Sequence, residues 1–214
     1  NAMHKRGWQL AVVEREAHVL PRMLNTESAA IVQSWLKTKN VDLHCGKTAK
    51  SISAKNGVKV VELADGTKLQ ADLVIVAVGV QPGVAVVDGS GIDAQSGPDG
   101  GIAVNDRMQT NFPNIYAAGD VARGPVLVGD GPAVHAIQPT AVDHGRVAGA
   151  NMAGQEVHYP GSLLMNILDI CGLQCASFGD FSSGQSMTIG NPDGYIYRSL
   201  LWSGDQITGA IFLG

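Results

Sequence analysis

The run Ala71-Asp72-Leu73-Val74-Ile75-Val76-Ala77-Val78-Gly79 constrains the fold more than any other stretch of this chain. It is apolar but for Asp72, rich in β-branched residues and strand-sized. A strand with one wet face alternates, whereas a near-continuous apolar run reads as a parallel strand covered on both faces. Covering helices make the predicted class α/β. The composition agrees: 45% hydrophobic and 16% charged residues suffice for a packed core. A net charge of −4 and a pI near 5.8 lack the clustered positive charge that phosphate backbones require, so no nucleic-acid partner is expected. No apolar run reaches the roughly 18 residues of a membrane span, and no secretory signal is visible. Three cysteines fit a reducing cytoplasm better than a disulfide scaffold.

Periodicity and turn residues supply the remaining elements. Asn1-Ala2-Met3 reads as a tag remnant before a start Met, and His4–Trp8 as the end of a helix closed by Gly7. Gln9–Val13 reads as a buried strand ending in Glu14. Thr26–Lys39 has helical spacing, with Asn25 or Thr26 as cap, and Val41–His44 is a second short strand. Thr48–Ala54 and Val58–Leu63 form a hairpin through Asn56-Gly57, and Asp65-Gly66 turns the chain into Thr67–Gln70. After the loop-rich 83–101 stretch, short strands are expected at Gly101–Asn105 and Met108–Thr110, and a buried one at Asn114–Ala118. Pro139–Ala153 reads as a helix with Pro at its start. Beyond Gly161 come short strands at Leu173–Phe178, Ser186–Ile189, Tyr195–Trp202 and Gln206–Leu213, the last two joined through Gly204-Asp205.

Two places carry chemistry. Glu14, at the carboxyl edge of a parallel sheet, sits where dinucleotides bind. Its carboxylate would accept both ribose hydroxyls and repel a 2′-phosphate, favouring NAD over NADP; a solvated charge at a strand end is the plainer reading. In Ile115-Tyr116-Ala117-Ala118-Gly119-Asp120, small residues let a bulky ligand approach the backbone and Asp120 presents an acceptor to a polyol. An Asx-type turn is the alternative. Cys171-x-x-x-Cys175 is a weak metal pattern, and Cys45 reads as a packed thiol. His135 precedes the Pro139 helix as a loop histidine, and His144 and His158 join no constellation.

The string from Thr110 to Asp120 resembles the second flavin motif of the FAD-dependent pyridine nucleotide-disulfide oxidoreductase family. Ala11–Arg15 with Leu20-Pro21-Arg22 resembles the second strand of that family's NAD domain and the loop after it. Ala71–Gly79 with Val80-Gln81-Pro82 resembles the strand that closes the domain. Pro139-Thr140-Ala141 and Gly145–Asn151 resemble the helix under the flavin, and the last ~50 residues the start of the dimerisation domain. The resemblance implies partial FAD- and NAD(P)-binding Rossmann-like domains, followed by a small antiparallel α+β dimerisation domain. The implied boundaries are 3–84, 85–160 and 161–214. Implied cofactor contacts are Glu14 and Gly79 for the nicotinamide nucleotide, and Gly119, Asp120, Thr140 and Ala141 for FAD. NADH and a second copy of the chain are the implied partners, and the electron acceptor stays open.

Departures from the family pattern matter as well. Gly89-Ser90-Gly91-Ile92-Asp93-Ala94 fits the bare Gly-x-Gly-x-x-Gly pattern, but no buried strand leads into it and no helix follows. Both nucleotide loops, and any redox Cys pair, are therefore expected upstream of residue 1. The His-x-x-x-x-Glu pair of glutathione-reductase-like members is absent from the part of the interface domain present, so the resemblance is to the NADH oxidase, rubredoxin reductase or nitrite-reductase-associated type. The strands at Ala71–Val78 and Asn114–Ala118 should then lack their family neighbours and drive association. The rival reading is a non-catalytic dimerisation or binding module that keeps the fold without cofactor.

Overall fold

The structure, a computed structural model, describes residues 1–181 and 184–214. In chain order, α1 (Ala2–Lys5) leads to β1 (Leu10–Glu14), α2 (Thr26–Thr38) and β2 (Val41–Cys45). A three-stranded meander follows, β3 (Ala49–Lys55), β4 (Val58–Leu63) and β5 (Lys68–Ala71). Next come β6 (Ala94–Gln95), β7 (Gly101–Ala103), β8 (Ala122–Arg123) and α3 (Gln138–Met152). The chain ends in β9 (Met165–Ile170), β10 (Leu173–Gly179), β11 (Gln185–Asn191), β12 (Ile196–Ser203) and β13 (Gln206–Leu213). Two compact units result: Asn1–Ala77 with Met165–Gly214, and Val78–Leu164. Among the described residues no helix is long and apolar enough to cross a membrane.

In the first unit, β1 and β2 pair in parallel across the α2 crossover. Of the two expected caps, Asn25 takes the role: its side chain accepts the Ser28 N–H at 3.0 Å. Ala29, Val32 and Leu36 of α2 share one core with Leu173, Cys175, Tyr197 and Ile211 of the five-stranded antiparallel sheet. Asn25 also donates to the Tyr197 hydroxyl at 2.8 Å, so the capping residue ties the helix to that sheet. The sheet order is β11-β12-β13-β10-β9.

Alternation sends the other side chains of this sheet to the opposite face. Register aligns two rows there: Ile189, Arg198, Phe212, Ala176, Ile167, and Met187, Leu200, Ala210, Phe178, Met165. Ile167 is 73% exposed and Ile189 66%. Nine of these ten residues are apolar; Ala210 is buried among its neighbours and Ala176 and Phe178 are half-buried, but Ile167, Ile189, Met187, Leu200, Phe212 and Met165 are exposed, an extent that monomers rarely leave wet.

Several expectations need correction. The run from Leu73 to Val80 joins no helix or sheet, and it is not buried: Ile75 is 68% and Val78 91% exposed. The composition is that of a central strand, but among the described residues no strand pairs with it. Leu10–Glu14 is a strand but not a buried one: Val12 is exposed and lines an open cleft instead of meeting a covering element. Met108–Thr110 and Asn114–Ala118 form one isolated bridge, Gln109 to Tyr116, instead of strands. Their turn is closed by the Thr110 hydroxyl, which bonds the carbonyls of Phe112 and Ile115. The β9 strand, absent from the sequence reading, pairs with β10.

Candidate functional site

The second unit gathers most of the predicted contacts at one place. Ala117 packs with Ile102 and Ala122 in a small core, which brings the chain out at Gly119. A single 3₁₀ turn, Gly119–Val121, follows, with Asp120 exposed. Gly119 has φ +76°, and a Cβ there would lie 3.3 Å from the Ala141 Cβ in the first turn of α3. Both demands call for glycine at 119, and the contact calls for a small residue at 141.

Pro139 stands in the first turn of α3, and Ile137, the preceding cap, offers no side-chain acceptor. The first-turn amides of Gln138 and Thr140 are thus left without a capping side chain, a setting that favours an anionic partner. Thr140 is 4% exposed, and its hydroxyl lies by the Tyr159 phenol, whose acidity it raises slightly. Its place in the site is therefore carried by its backbone, while its hydroxyl serves the core. Burial pushes the Tyr159 phenol above its ordinary range.

One site residue escaped the sequence reading. His144, set aside as belonging to no constellation, lies one turn beyond Thr140 and is 1% exposed. The Gly119 N–H donates to its Nδ1 at 3.3 Å. Its ring meets Tyr159 edge to face at 4.7 Å. Burial above all, and His135 second, lowers its pKa against the opposing pull of Asp143. A histidine four residues after the motif's Thr140 was the available signal, but its partner is a backbone group 25 residues upstream. His135 itself bonds the Ser162 hydroxyl at 2.7 Å.

Gly79 has φ +102° and open space around its Cβ position, on the exposed segment described above. In the first unit, Glu14 ends β1 and accepts the Glu16 N–H at 2.9 Å. Beside it lies a cleft of about 460 Å³ whose lining includes Leu10, Val12, Val41 and Leu168. Arg15 turns its guanidinium to Glu16 at 2.8 Å. Burial pushes the Cys175 thiol up to about 11, the environment of an inert packed sulfur. Cys171 occupies the β9–β10 turn at φ +51°. Among the described residues no group of three His, Cys, Asp or Glu is arranged to hold a metal.

Comparison with known proteins gives a consistent picture. The model of the family described as pyridine nucleotide-disulphide oxidoreductase matches residues 1–151. Nitrite reductase [NAD(P)H] of Bacillus subtilis (strain 168) is 29% identical over 212 residues, 97% of this chain and 25% of that protein. NADH oxidase of Methanocaldococcus jannaschii is 34% identical over 154 residues, 72% of this chain and 34% of its own length. A solved structure, the NAD-dependent persulfide reductase from A. fulgidus, superposes with a TM-score of 0.88 at 25% identity. It covers 100% of this chain, which spans 42% of it. The chain therefore spans well under half of the length of each of these relatives.

Proposed function

The chain belongs to the pyridine nucleotide-disulphide oxidoreductase family, and from that premise we propose that it is part of an FAD-dependent oxidoreductase. The reaction passes a hydride from a nicotinamide nucleotide to flavin and electrons onward to an acceptor. Residues 3–84 are the second half of the nicotinamide-nucleotide domain, 85–160 the last part of the FAD domain, and 161–214 the start of an interface domain. The observation that carries the reading is the seat of the Gly119–Asp120 turn on the uncapped first turn of α3. A chain that had lost its cofactor role would have no need of glycine pressed against Ala141 beside an exposed carboxylate.

The residues present fit such a cofactor. Asp120 accepts a hydrogen bond from a ribitol hydroxyl. The free amides of the α3 first turn favour negative charge at the pyrimidine end of a reduced flavin. Bound there, FAD supplies the two-electron acceptor for the hydride. Gly79 lets the nicotinamide nucleotide pass close to the backbone. What these 214 residues do not contain is a strand–Gly-x-Gly-x-x-Gly–helix turn aimed at either pyrophosphate. Purified alone, the chain is therefore expected to bind FAD weakly or not at all, while the full-length protein we infer for it binds near stoichiometrically. Flavin absorbance after gel filtration compares the two. Stoichiometric FAD on the 214-residue chain would overturn the expectation, and a colourless full-length protein would favour the cofactor-free module.

Glu14 supports NADH over NADPH, since its carboxylate suits two ribose hydroxyls and opposes a 2′-phosphate. Arg15 is the residue that would argue otherwise, and its guanidinium faces Glu16. That pair is exposed and of small worth, so the preference rests on Glu14. In the full-length enzyme Glu14→Ala should narrow the gap between the two nucleotides by roughly tenfold in kcat/KM, about 1.4 kcal/mol. Faster turnover of the unsubstituted enzyme with NADPH at low concentration would count against it. The apolar outer face of the β9–β13 sheet supports a homodimer formed through that face.

A further inference from the structure

We propose that His144 is the positioning residue of the Gly119–Asp120 turn: as the Nε2–H tautomer it accepts the Gly119 N–H on Nδ1 and holds the turn against the first turn of α3. The inference rests on the reading of that turn as a flavin contact. A backbone amide only donates, so Nδ1 must be the bare nitrogen and the ring proton must sit on Nε2. That Nε2 is buried with no hydrogen-bond partner among the described residues. An unpaired buried donor is a cost, and a packing role gives no reason to bear it, because an apolar side chain of similar size fills the same space without it. The acceptor on the other side of the ring is what a histidine supplies there. Its position is fixed from below by the edge-to-face contact with the Tyr159 ring, whose phenol lies by Thr140 of the same helix. A column of Thr140, Tyr159 and His144 thus joins the start of α3 to the backbone just before Asp120.

Protonation would replace the Nδ1 lone pair with a second donor and break the contact. The charged or titratable groups around the ring are Asp143 on α3, His135 in the preceding loop and Tyr159 beyond the helix, with Asp120 on the turn itself. Burial and His135 outweigh Asp143, so the neutral ring persists below the ordinary histidine range. The contact is complete above the unfolded-state value of about 6.5 and is lost as pH falls through the lower folded-state value.

Nitrogen NMR on the 214-residue chain tests this. The His144 ring should show Nδ1 unprotonated and Nε2 protonated at neutral pH, and Gly119 amide protection should fall on acidification together with His144 titration. His144→Leu keeps the volume and removes the acceptor, so Gly119 exchange should quicken at least tenfold while the Ala148 amide, deeper in α3, is unchanged. His144→Asn places an oxygen near the former Nδ1 and should restore most of the protection. An Nδ1–H ring in the unsubstituted chain overturns the proposal and needs no variant to fold. Unchanged Gly119 exchange in a folded His144→Leu protein also overturns it. Failure of the flavin reading is separate: unaltered FAD affinity of the full-length protein on Asp120→Ala would refute that reading and leave the His144 contact standing.

Discussion

Gly119→Val should destabilise the chain by about 3 kcal/mol, read as a shift of the urea unfolding curve. Two effects add. A β-branched residue at φ +76° occupies the left-handed region at a cost of roughly 1–2 kcal/mol. Its Cβ would also lie 3.3 Å from the Ala141 Cβ, and its methyls closer to the helix, which costs a similar amount in overpacking. Gly119→Ala should lose less, because it carries a similar backbone cost but its single methyl meets only the 3.3 Å contact and adds no branched methyls. The pair Gly119→Ala with Ala141→Gly relieves the contact and leaves the backbone term. The double-mutant cycle should therefore show favourable coupling of about 1 kcal/mol. A fully stable Gly119→Val protein would mean that the turn does not rest on α3.

The second large effect concerns association. With Ile167→Glu the dimer proposed through the outer face of the β9–β13 sheet should weaken by roughly a thousandfold in Kd, about 4 kcal/mol, because an unpaired carboxylate is buried in the interface. Ile167 lies three strands away from Arg198, the one charge in the two aligned rows, so the substitution finds no direct partner within the sheet. Light scattering at micromolar concentration should report a dimer for the unsubstituted chain and a monomer for the variant. Ser53→Glu, on the exposed β3 strand, should leave the dimer unchanged. A stable monomer in the unsubstituted chain would remove this interface from the account. The exposed segment from Leu73 to Val80 offers a second sticky edge, so a dimer that survives Ile167→Glu would point there.

Local chemistry made much of the fold legible. Asn25 before a 3.6-residue period gave α2, Pro139 gave the start of α3, and Asn56-Gly57 and Gly204-Asp205 gave two hairpins, because capping and turn geometry are decided within a few residues. The Gly119-Asp120 turn was legible for the same reason: its glycine and the alanine it meets are written in the sequence. Long-range matters were hidden. Whether Ala71–Gly79 is buried depends on neighbours that a local pattern cannot supply. The β9 strand was missed because Met165–Ile170 carries apolar residues on both faces without alternation, and its pairing with β10 decides it. His144 was missed because its meaning comes from a backbone amide on another element.

The central claim is that this chain helps an FAD-dependent enzyme take a hydride from a nicotinamide nucleotide. Anaerobic rapid mixing of the full-length protein, purified with its flavin, against NADH measures it most directly. The account predicts prompt loss of oxidised-flavin absorbance, faster with NADH than with NADPH at equal low concentration. A protein without flavin, or one whose flavin neither nucleotide reduces, would contradict it.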